Sequence, residues 1–463
     1  MQKMKNGKKV LSVCLSLAMA AGMLSTSAFA SWNVYGGSNN HNAVVTEAPT
    51  ATDASGLDSY IQLHCTGSGW DGVDNVPVMQ TVSGTTYAYV LYDGYGASGA
   101  LVAKIRCAEN GGSSIVWTTD PYGTEGTSLN AKSGFQLSTP YLDDKGTPDD
   151  ASDDTLYVGT ISQYDDYEGG EWLTGTGSKV MALTGLDQNK PTVTNVLTGI
   201  NGQINTPITT DGTYLYFGTW PGGSNAGTYY QVKLSDYSVK TFTPDSYGFY
   251  WAGAVSDGTN VYFGSDNGLL YWRSIADFDT TGGVLDLTDV ASDAGNVRST
   301  VMMDEDGFLY FTTQGGYLWC CFYDGGLKVY WNAKLGATST STPTKVGDRI
   351  YVGYYSGFNA GGVQCVTVSF DEEENVVTSV APVASGFPVQ GSIVVMGDGT
   401  GTDYLYFNTN AQKGAGYCYS YDGTTGSKVW GTTGDTYALG GMAIDNGYAV
   451  FGNDYNHLYV VHN

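Results

Sequence analysis

Charged residues and histidines are scarce in this sequence, and several catalytic signatures are missing. Asp, Glu, Lys and Arg make up 14% of the 463 residues, and the four histidines are His41, His64, His457 and His462. None of the histidines has the H-x-x-H or H-E-x-x-H spacing of a zinc site. The chain also has no G-x-S-x-G, no C-x-x-C and no phosphate-binding glycine loop. The simplest zinc, serine-hydrolase, redox and nucleotide-binding signatures are therefore excluded, and no catalytic residue is singled out.

Basic residues are the scarcest charged type. The chain has 20 Lys and Arg against 45 Asp and Glu, which gives a formal net charge of −25. Lys3, Lys5, Lys8 and Lys9 all lie in the first nine residues, so loss of that segment would make the chain more acidic still. A surface of this sign repels nucleic acid and anionic membranes, and we expect neither as a partner.

Only one long hydrophobic run is present. It extends from Val10 to Leu24, after the four lysines and before the small-x-small sequence Ala28-Phe29-Ala30. This pattern predicts a signal peptide over residues 1–30, with cleavage between Ala30 and Ser31. No other segment reaches the ~18 apolar residues that a spanning helix needs. We expect a secreted or extracellular protein, or one associated with the cell envelope, with no membrane span.

Cysteine is too rare for a scaffold built from disulfides. Cys14 lies in the predicted signal peptide and leaves six others, namely Cys65, Cys107, Cys320, Cys321, Cys365 and Cys418. Five of the six fall in strands that follow the repeated phrase described next, where a small side chain fits a packed sheet. Packing is favoured, and a set of bridges in an exported protein is the alternative.

A short phrase recurs along the chain: an aromatic or apolar residue, another apolar residue, then usually glycine and a small residue. Copies begin at Tyr157, Tyr216, Tyr262, Tyr310, Tyr351, Tyr406 and Val450, and a degraded copy spans Tyr87 to Leu91. Periods near 40 to 50 residues with strand content are typical of propeller blades. The eight copies predict an all-β fold, a single eight-bladed β-propeller of four-stranded antiparallel blades over residues 31–463; seven blades are the alternative. Turns such as Asp211-Gly212 and Asp257-Gly258 precede the phrase and predict hairpins.

The residues that follow the phrase carry a family resemblance. The segment from Tyr419 to Trp430, with its Asp422, Thr425-Gly426 and closing tryptophan, resembles the repeat of pyrroloquinoline-quinone-like propellers. Weaker copies end at Trp117 and Trp331, and in this family such tryptophans dock one blade against the next. The segment from Trp32 to Gly37 resembles the N-terminal strand that completes the last blade. The resemblance thus implies a ring closed by the N-terminal strand.

The same resemblance raises the question of enzymatic activity. Dehydrogenases of the family bind the quinone beneath a vicinal disulfide and hold a calcium ion. Here Cys320-Cys321 lies in what reads as an ordinary third strand, and no matching calcium-ligand set is found. The chain is closer in length to the non-catalytic lipoprotein propellers of outer-membrane assembly. We therefore expect a non-catalytic, secreted branch without the quinone, and keep a quinone- and calcium-dependent dehydrogenase or a glycan-active enzyme as the alternative.

One acidic loop is a candidate metal site. Its carboxylates are Asp143, Asp144, Asp149, Asp150, Asp153 and Asp154. Clustered carboxylates on a loop suit calcium, but the spacing lacks the D-x-[DN]-x-[DN]-G pattern, so a solvated loop is the alternative reading. Calcium is the one candidate ion, and no other cofactor is expected.

Aromatic side chains concentrate in loops at one end of the expected propeller. In an antiparallel blade, the loop between the second and third strands opens at the same end as the loop that enters the next blade. These loops carry Tyr164, Tyr167, Trp172, Trp220, Tyr247, Tyr250, Trp251, Tyr354, Tyr355 and Phe358. Such rings suit binding of a peptide or a sugar; packing within the mouth of the channel is the alternative. We expect a monomeric binding or assembly module with a protein, peptide or carbohydrate partner.

Overall fold

The computed structural model describes residues 31–50, 57–63, 72–94, 99–109, 111–120, 126–129, 136–161, 164–168, 171–174 and 177–462, and the predicted signal peptide lies outside them. Eight sheets form a ring, one per repeat, with antiparallel pairing between the consecutive strands of each blade, and a ninth sheet is a two-stranded hairpin. The fold is an eight-bladed β-propeller, which confirms the prediction and decides against seven blades. Regular non-strand structure in the described residues consists of three 3₁₀ turns, Tyr35–Gly37, Asp266–Gly268 and Leu287–Asp289.

The strands follow the chain blade by blade, each blade running from its inner to its outer edge. Before the first blade come β1 (Val44–Val45) and β2 (Tyr60–Gln62). Blade 1 has β3 (Val78–Val82), β4 (Thr85–Asp93), β5 (Ala100–Arg106) and β6 (Ser114–Thr118). Blade 2 has β7 (Tyr141–Asp143), β8 (Thr155–Thr160), the hairpin β9 (Tyr164–Glu168) and β10 (Glu171–Thr174), then β11 (Ser178–Thr184) and β12 (Thr192–Ile200). Blade 3 has β13 (Gln203–Ile204), β14 (Thr209–Thr210), β15 (Tyr214–Trp220), β16 (Tyr229–Lys233) and β17 (Val239–Phe242).

The remaining blades have the same order. Blade 4 has β18 (Val255–Ser256), β19 (Asn260–Ser265), β20 (Leu269–Ser274) and β21 (Gly282–Asp286). Blade 5 has β22 (Met302–Met303), β23 (Leu309–Thr313), β24 (Tyr317–Tyr323) and β25 (Leu327–Lys334). Blade 6 has β26 (Thr344–Val346), β27 (Arg349–Ser356), β28 (Ala360–Phe370) and β29 (Val376–Ser385). Blade 7 has β30 (Val394–Met396), β31 (Asp403–Asn408), β32 (Gly416–Tyr421) and β33 (Gly426–Gly431), and blade 8 has β34 (Ala443–Asp445), β35 (Tyr448–Gly452) and β36 (His457–Val461).

An Asp in the turn between the first and second strands is held by two kinds of hydrogen bond. Asp257 Oδ1 accepts the backbone N–H groups of Thr259 and Asn260 at 2.8 and 2.7 Å. Its Oδ2 accepts the hydroxyl of Tyr262 at 2.5 Å. The pair recurs as Asp211 with Tyr216 and as Asp304 with Tyr310. Because the phenol has this partner in blades 3, 4 and 5, the repeat tyrosines of those blades can be buried in the sheet.

The glycine of the repeat leaves room for a side chain from the loop that enters the next blade. A Cβ on Gly264 would lie 2.2 Å from Val297 Cγ1, and a Cβ on Gly218 would lie 2.6 Å from Phe249 Cβ. Gly353 with Val389 and Gly452 with Val73 make the same contact. The N–H of each apolar residue donates to the carbonyl of the residue after the glycine: Phe249 to Thr219, Val297 to Ser265, Val389 to Tyr354 and Val73 to Asn453. The glycine therefore sets how one blade enters the next.

Blades 5 and 7 replace this glycine and change its partner as well. Asn408 stands at the glycine position of blade 7, and the N–H of the small Ala438 donates to the carbonyl of the following residue. Thr312 stands there in blade 5, and its hydroxyl accepts a hydrogen bond from the Ser339 hydroxyl at 3.0 Å. A larger side chain on one strand is thus matched by a smaller one on the entering loop.

Apolar side chains pack between neighbouring blades. Trp117, Trp331 and Trp430 lie in fourth strands and are 4%, 9% and 3% exposed, which fits the docking role that the resemblance implies. Cys320 and Cys321 alternate across β24 and lie in different clusters, one toward blade 6 and the other toward blade 4. Their sulfurs are free thiols, as are those of the other described cysteines, Cys107, Cys365 and Cys418.

The N-terminal segment closes the ring, but not with the residues that were expected. Tyr60–Gln62 pairs antiparallel with β36 and forms the outer strand of blade 8. The prediction that Trp32 to Gly37 would form this strand is wrong. The backbone of that segment instead reaches the inner strands: Trp32 O accepts from Met79 N in blade 1 at 2.7 Å, and Asn33 O accepts from Leu142 N in blade 2 at 2.8 Å.

Residues 31–45 form a plug across the central channel. Beyond the first two blades, Asn40 O accepts from Met303 N in blade 5, and Ala43 O accepts from Val395 N in blade 7. The His41 ring is fully buried, with Nε2 2.7 Å from the carbonyl of Ala254. Val44–Val45 then adds a parallel strand to β30. The segment from Trp32 to Gly37 was predicted as an edge strand, but it belongs to the plug. Its small and apolar residues suit a packed channel as well as a sheet.

Candidate functional site

Three of the predicted aromatic residues meet where blade 3 leads into blade 4. Phe249 is seated over Gly218, the next residue Tyr250 contacts Trp220, and Trp251 contacts Tyr250. The Trp220 and Tyr250 ring centroids are 5.3 Å apart at 86°, and those of Tyr250 and Trp251 are 5.0 Å apart at 63°. Edge-to-face contacts of this kind are favourable and fix the orientation of each ring. The repeat contact thus assembles a short chain of perpendicular rings.

The corresponding contact one blade later places an ion pair beside these rings. Val297, over Gly264, positions Arg298, which donates from Nε to Asp266 Oδ1 and from Nη2 to Asp266 Oδ2, both at 2.7 Å. Trp220 Nε1 also donates to Asp266 Oδ2, at 3.3 Å. The guanidinium carbon lies 4.5 Å from the centroid of the Tyr250 ring. Rings and ion pair therefore form one connected group, which we call the mouth cluster: Trp220, Tyr250, Trp251, Asp266 and Arg298.

The ion pair of the mouth cluster is largely withdrawn from water. The Arg298 side chain is 20% exposed and that of Asp266 is 5% exposed. Burial opposes the charge of Arg298, but the hydrogen bonds and charge of Asp266 outweigh it, and the pKa of the guanidinium is raised. A bidentate pair fixes the plane of the guanidinium. Two of its five N–H groups are used in this pair, and Nη1 makes no hydrogen bond within the described residues.

The mouth cluster borders a cavity at the entrance to the central channel. The lining residues come mostly from the loops that enter the blades, and include Asp74, Asn75, Leu137, Pro207, Trp251, Arg298, Thr340, Gln390 and Leu439. The cavity volume is about 50 Å³, which is room for a few water molecules and far below the ~300 Å³ of a pocket that encloses a whole small ligand. The site is therefore an open surface with a shallow central depression.

The plug supplies the floor of this cavity. Tyr35 lines it from below, and its hydroxyl lies 3.0 Å from Thr342 Oγ1 in blade 6. Burial raises the pKa of the Tyr35 phenol, and the hydrogen bond to Thr342 only partly offsets this. Asn75 lines the wall; its Nδ2 donates to the carbonyls of Leu91 and Gln136, and its Oδ1 is buried with no partner among the described residues.

Two aromatic residues of the loop that enters blade 4 have unusual backbone angles. Tyr247 has a φ of 65° and Trp251 a φ of 58°, a region that bulky residues rarely adopt. The carbonyl of Trp251 accepts from Thr300 Oγ1 at 3.1 Å, and the N–H of Tyr247 donates to Ser224 O at 2.9 Å. Strain of this kind persists where surrounding contacts enforce it and is common at functional sites.

The other predicted aromatic residues lie farther around the same end. Tyr355 contacts Gln314 Nε2 at 3.5 Å and is close enough to Arg298 to favour its charge. Phe358 is 42% exposed and packs edge-on against Tyr437 at 5.5 Å, away from the mouth cluster. Tyr354 is half-buried in β27. Tyr164, Tyr167 and Trp172 lie in the β9–β10 hairpin, where Trp172 is opposite Tyr167; their side chains lie outside the described part.

Sequence reasoning missed Asp266, Arg298, Asn75 and Tyr35. Asp266 lies two residues after the repeat glycine Gly264. Arg298 lies one residue after Val297, the apolar residue that packs on Gly264. A search at these two offsets in each blade would have found the pair, as it finds Trp220 and Tyr250. Tyr35 and Asn75 have no comparable signal, because the sequence does not show that the N-terminal segment enters the channel.

Each Asp side chain of the candidate calcium loop has its own hydrogen-bond or ion-pair partner. Asp143 pairs with Lys145, Asp154 accepts from Gln80 Nε2 at 2.6 Å and Asp153 accepts from Thr147 Oγ1 at 3.0 Å. The others, Asp144, Asp149 and Asp150, accept backbone N–H groups. Within the described residues no group of three or more His, Cys, Asp or Glu side chains is placed to hold a metal ion. Calcium binding by this loop stays a prediction.

The cysteines do not fit the quinone site that the resemblance implies. Cys320 and Cys321 are both fully buried, and their side chains lie on opposite faces of β24. Neither lines the channel mouth. A vicinal disulfide would need both sulfurs on one side of the strand. This arrangement therefore gives no platform for a quinone.

Comparisons with known proteins bear on the fold. No protein-family model and no curated protein matches this sequence. The structure is similar to that of BamB from Moraxella catarrhalis, with 13% identity, a TM-score of 0.51, and coverage of 87% of this chain and 98% of BamB. It is also similar to Sqt1 from Saccharomyces cerevisiae, with 12% identity, a TM-score of 0.51, and coverage of 88% of this chain and 99% of Sqt1. These similarities support the β-propeller and say nothing about the site.

Proposed function

We propose that this chain is an exported, monomeric, non-catalytic binding module whose protein, peptide or glycan ligand contacts the mouth cluster. The observation that carries the proposal is the convergence of three predicted aromatic residues with a buried ion pair at the channel entrance. Such rings give large contact area at low cost in side-chain entropy, and they dominate many binding sites. The similarity to BamB and Sqt1 is compatible with a role in binding or assembly.

Export is proposed from the predicted signal peptide and from the charge. Within the described residues there is no helix long and apolar enough to cross a membrane. The net charge of −25 disfavours nucleic acid as a partner. N-terminal sequencing of protein from the culture medium and the envelope fraction should give a chain that begins at Ser31. A chain that keeps residues 1–30 in both fractions would contradict export by this route.

The test of the site is a comparison of binding and stability in the same variants. Trp220→Ala and Trp251→Ala should each weaken ligand binding by ~1 to 3 kcal/mol, with Tyr330→Ala in the outer strand of blade 5 as the control. If the rings served only to pack the channel, both variants would lose stability and keep the wild-type affinity. That result would remove the site from this end of the propeller.

A further inference from the structure

The charges and hydrogen-bonding groups at the channel mouth indicate the chemical class of the ligand, and this step rests on the proposed function. We infer that the site binds the end of a neutral glycan. One sugar ring stacks on Trp251, and its hydroxyl groups bond to the free side of Arg298. Trp220 and Tyr250 act as positioning residues, because they hold Trp251 and Arg298 rather than line the cavity themselves.

The charges disfavour an ionic ligand of either sign. Arg298 is already neutralised by Asp266, and Asp74 lines the same cavity from blade 1, across the ring from blade 5. An anion would meet the Asp74 carboxyl group and the net charge of −25, and like charges repel. A cation stacked on Trp251 would lie next to the guanidinium of Arg298. A neutral ligand avoids both penalties.

The polar groups suit hydroxyl groups that both donate and accept. Arg298 Nη1 offers donors that have no partner within the described residues. Asn75 Oδ1, on the same cavity, offers a buried acceptor without a described partner. A sugar hydroxyl satisfies either kind of group, and the less polar face of the ring packs on an indole.

The backbone around the mouth offers little to a peptide. Extended peptides bind largely through main-chain hydrogen bonds to a free strand edge. Here the N–H groups of Phe249, Val297, Val389 and Val73 donate to the strands of the preceding blade. Recognition therefore depends on side chains, and a cavity of about 50 Å³ admits one edge of a sugar ring rather than a folded segment.

The experiment uses the mature chain from Ser31 and three sets of probes. These are neutral oligosaccharides of hexose, pentose and N-acetylhexosamine units, uronate oligosaccharides, and a peptide library, measured by calorimetry and tryptophan fluorescence. We expect a neutral oligosaccharide to bind with an affinity that does not change with ionic strength, since no charge is screened.

Variants then assign the contacts. Trp251→Ala should weaken neutral-glycan binding about 10- to 100-fold, and Trp251→Phe should restore part of it. Arg298→Lys keeps the charge but loses the fixed fork, and should weaken binding about tenfold, with a lower melting temperature because Asp266 loses one hydrogen bond. Tyr330→Ala is the control and should bind as the wild type does.

Failure of this inference is distinguishable from failure of the proposed function. A peptide or uronate ligand that depends on Trp251 would overturn the glycan inference and leave the binding site in place. Neutral-glycan binding that ignores Trp251 and Arg298 would overturn the site itself. If no neutral oligosaccharide binds in a way that Trp251→Ala weakens, the glycan inference is wrong.

Discussion

Replacement of Gly264 by alanine tests the contact that positions Arg298. The added methyl group would lie 2.2 Å from Val297 Cγ1, whereas carbon atoms are in favourable contact at ~3.5 to 4.0 Å. The entering loop must therefore shift by more than about 1 Å, and overpacking of this kind costs ~1 to 3 kcal/mol. Gly264 has ordinary extended backbone, so strain of a left-handed conformation does not contribute.

A second substitution separates the steric clash from other effects. Val297→Ala alone should cost ~1.5 to 3 kcal/mol, because a fully buried apolar side chain is lost. In the double variant the new methyl group occupies the space that Val297 vacates, so the total cost should be at least ~1 kcal/mol less than the sum. Asn408 and Ala438 are a natural example of the same compensation.

The assay is denaturant unfolding. The midpoints of the variants are compared under the condition that the slope of unfolding free energy against denaturant concentration stays the same. Gly326→Ala is the matched control, since nothing lies within 4 Å of the added Cβ, and its stability should stay within ~0.5 kcal/mol of wild type. The proposed role of the repeat glycine would be refuted if Gly264→Ala were as stable as the wild type. It would also be refuted if the losses of unfolding free energy for Gly264→Ala and Val297→Ala added exactly in the double variant.

Three further predictions concern the plug, a buried acid and the thiols. Trp32 is 2% exposed, so Trp32→Ala should cost ~3 to 5 kcal/mol of unfolding free energy; a melting temperature equal to wild type would show that the plug is not a structural element. Burial raises the pKa of Asp445 from 3.8 to about 6, so its contribution to stability is greatest below pH ~4 and is lost as the pH rises through 6. Asp445→Asn should therefore stabilise the fold by about 2 kcal/mol at pH 7 and not at pH 4. The control substitution Glu305→Gln, at an exposed position, should leave the stability unchanged at both pH values. An equal effect of Asp445→Asn at pH 4 and pH 7 would contradict the prediction. Burial raises the pKa of the Cys320 and Cys321 thiols, so both should resist alkylation until unfolding, and non-reducing peptide mapping that joins them would be the opposite result.

Particular residues show how far the sequence could predict the molecule. The repeated phrase predicted eight blades because its tyrosine and glycine serve the fold in several blades: Tyr216, Tyr262 and Tyr310 each bond a turn Asp, and Gly218, Gly264, Gly353 and Gly452 each leave room for an entering side chain. Trp220, Tyr250 and Trp251 could be placed at one end because loop order fixes the end of a blade from which a loop emerges. These inferences need only strand pairing within one repeat.

Arg298, Asp266 and the plug could not be predicted in the same way. Arg298 and Asp266 are 32 residues apart, and their contact depends on how one blade enters the next. The segment from Trp32 to Gly37 has a pattern that suits either a strand or a channel lining, and hydrogen bonds to distant blades decide between them. Long-range packing determines the plug, whereas the Asp266–Arg298 contact follows from the repeat only once the contact between its glycine and the entering side chain is known.

The most direct test of the proposed site is the position of a bound ligand. Crystals of the mature chain should be grown with the neutral oligosaccharide that binds most tightly in the panel. We expect a sugar ring within ~4 Å of the Trp251 indole, with a hydroxyl group hydrogen-bonded to Arg298. A ligand seated on the acidic loop from Asp143 to Asp154, or on the outer strands, with the channel mouth empty, would contradict it.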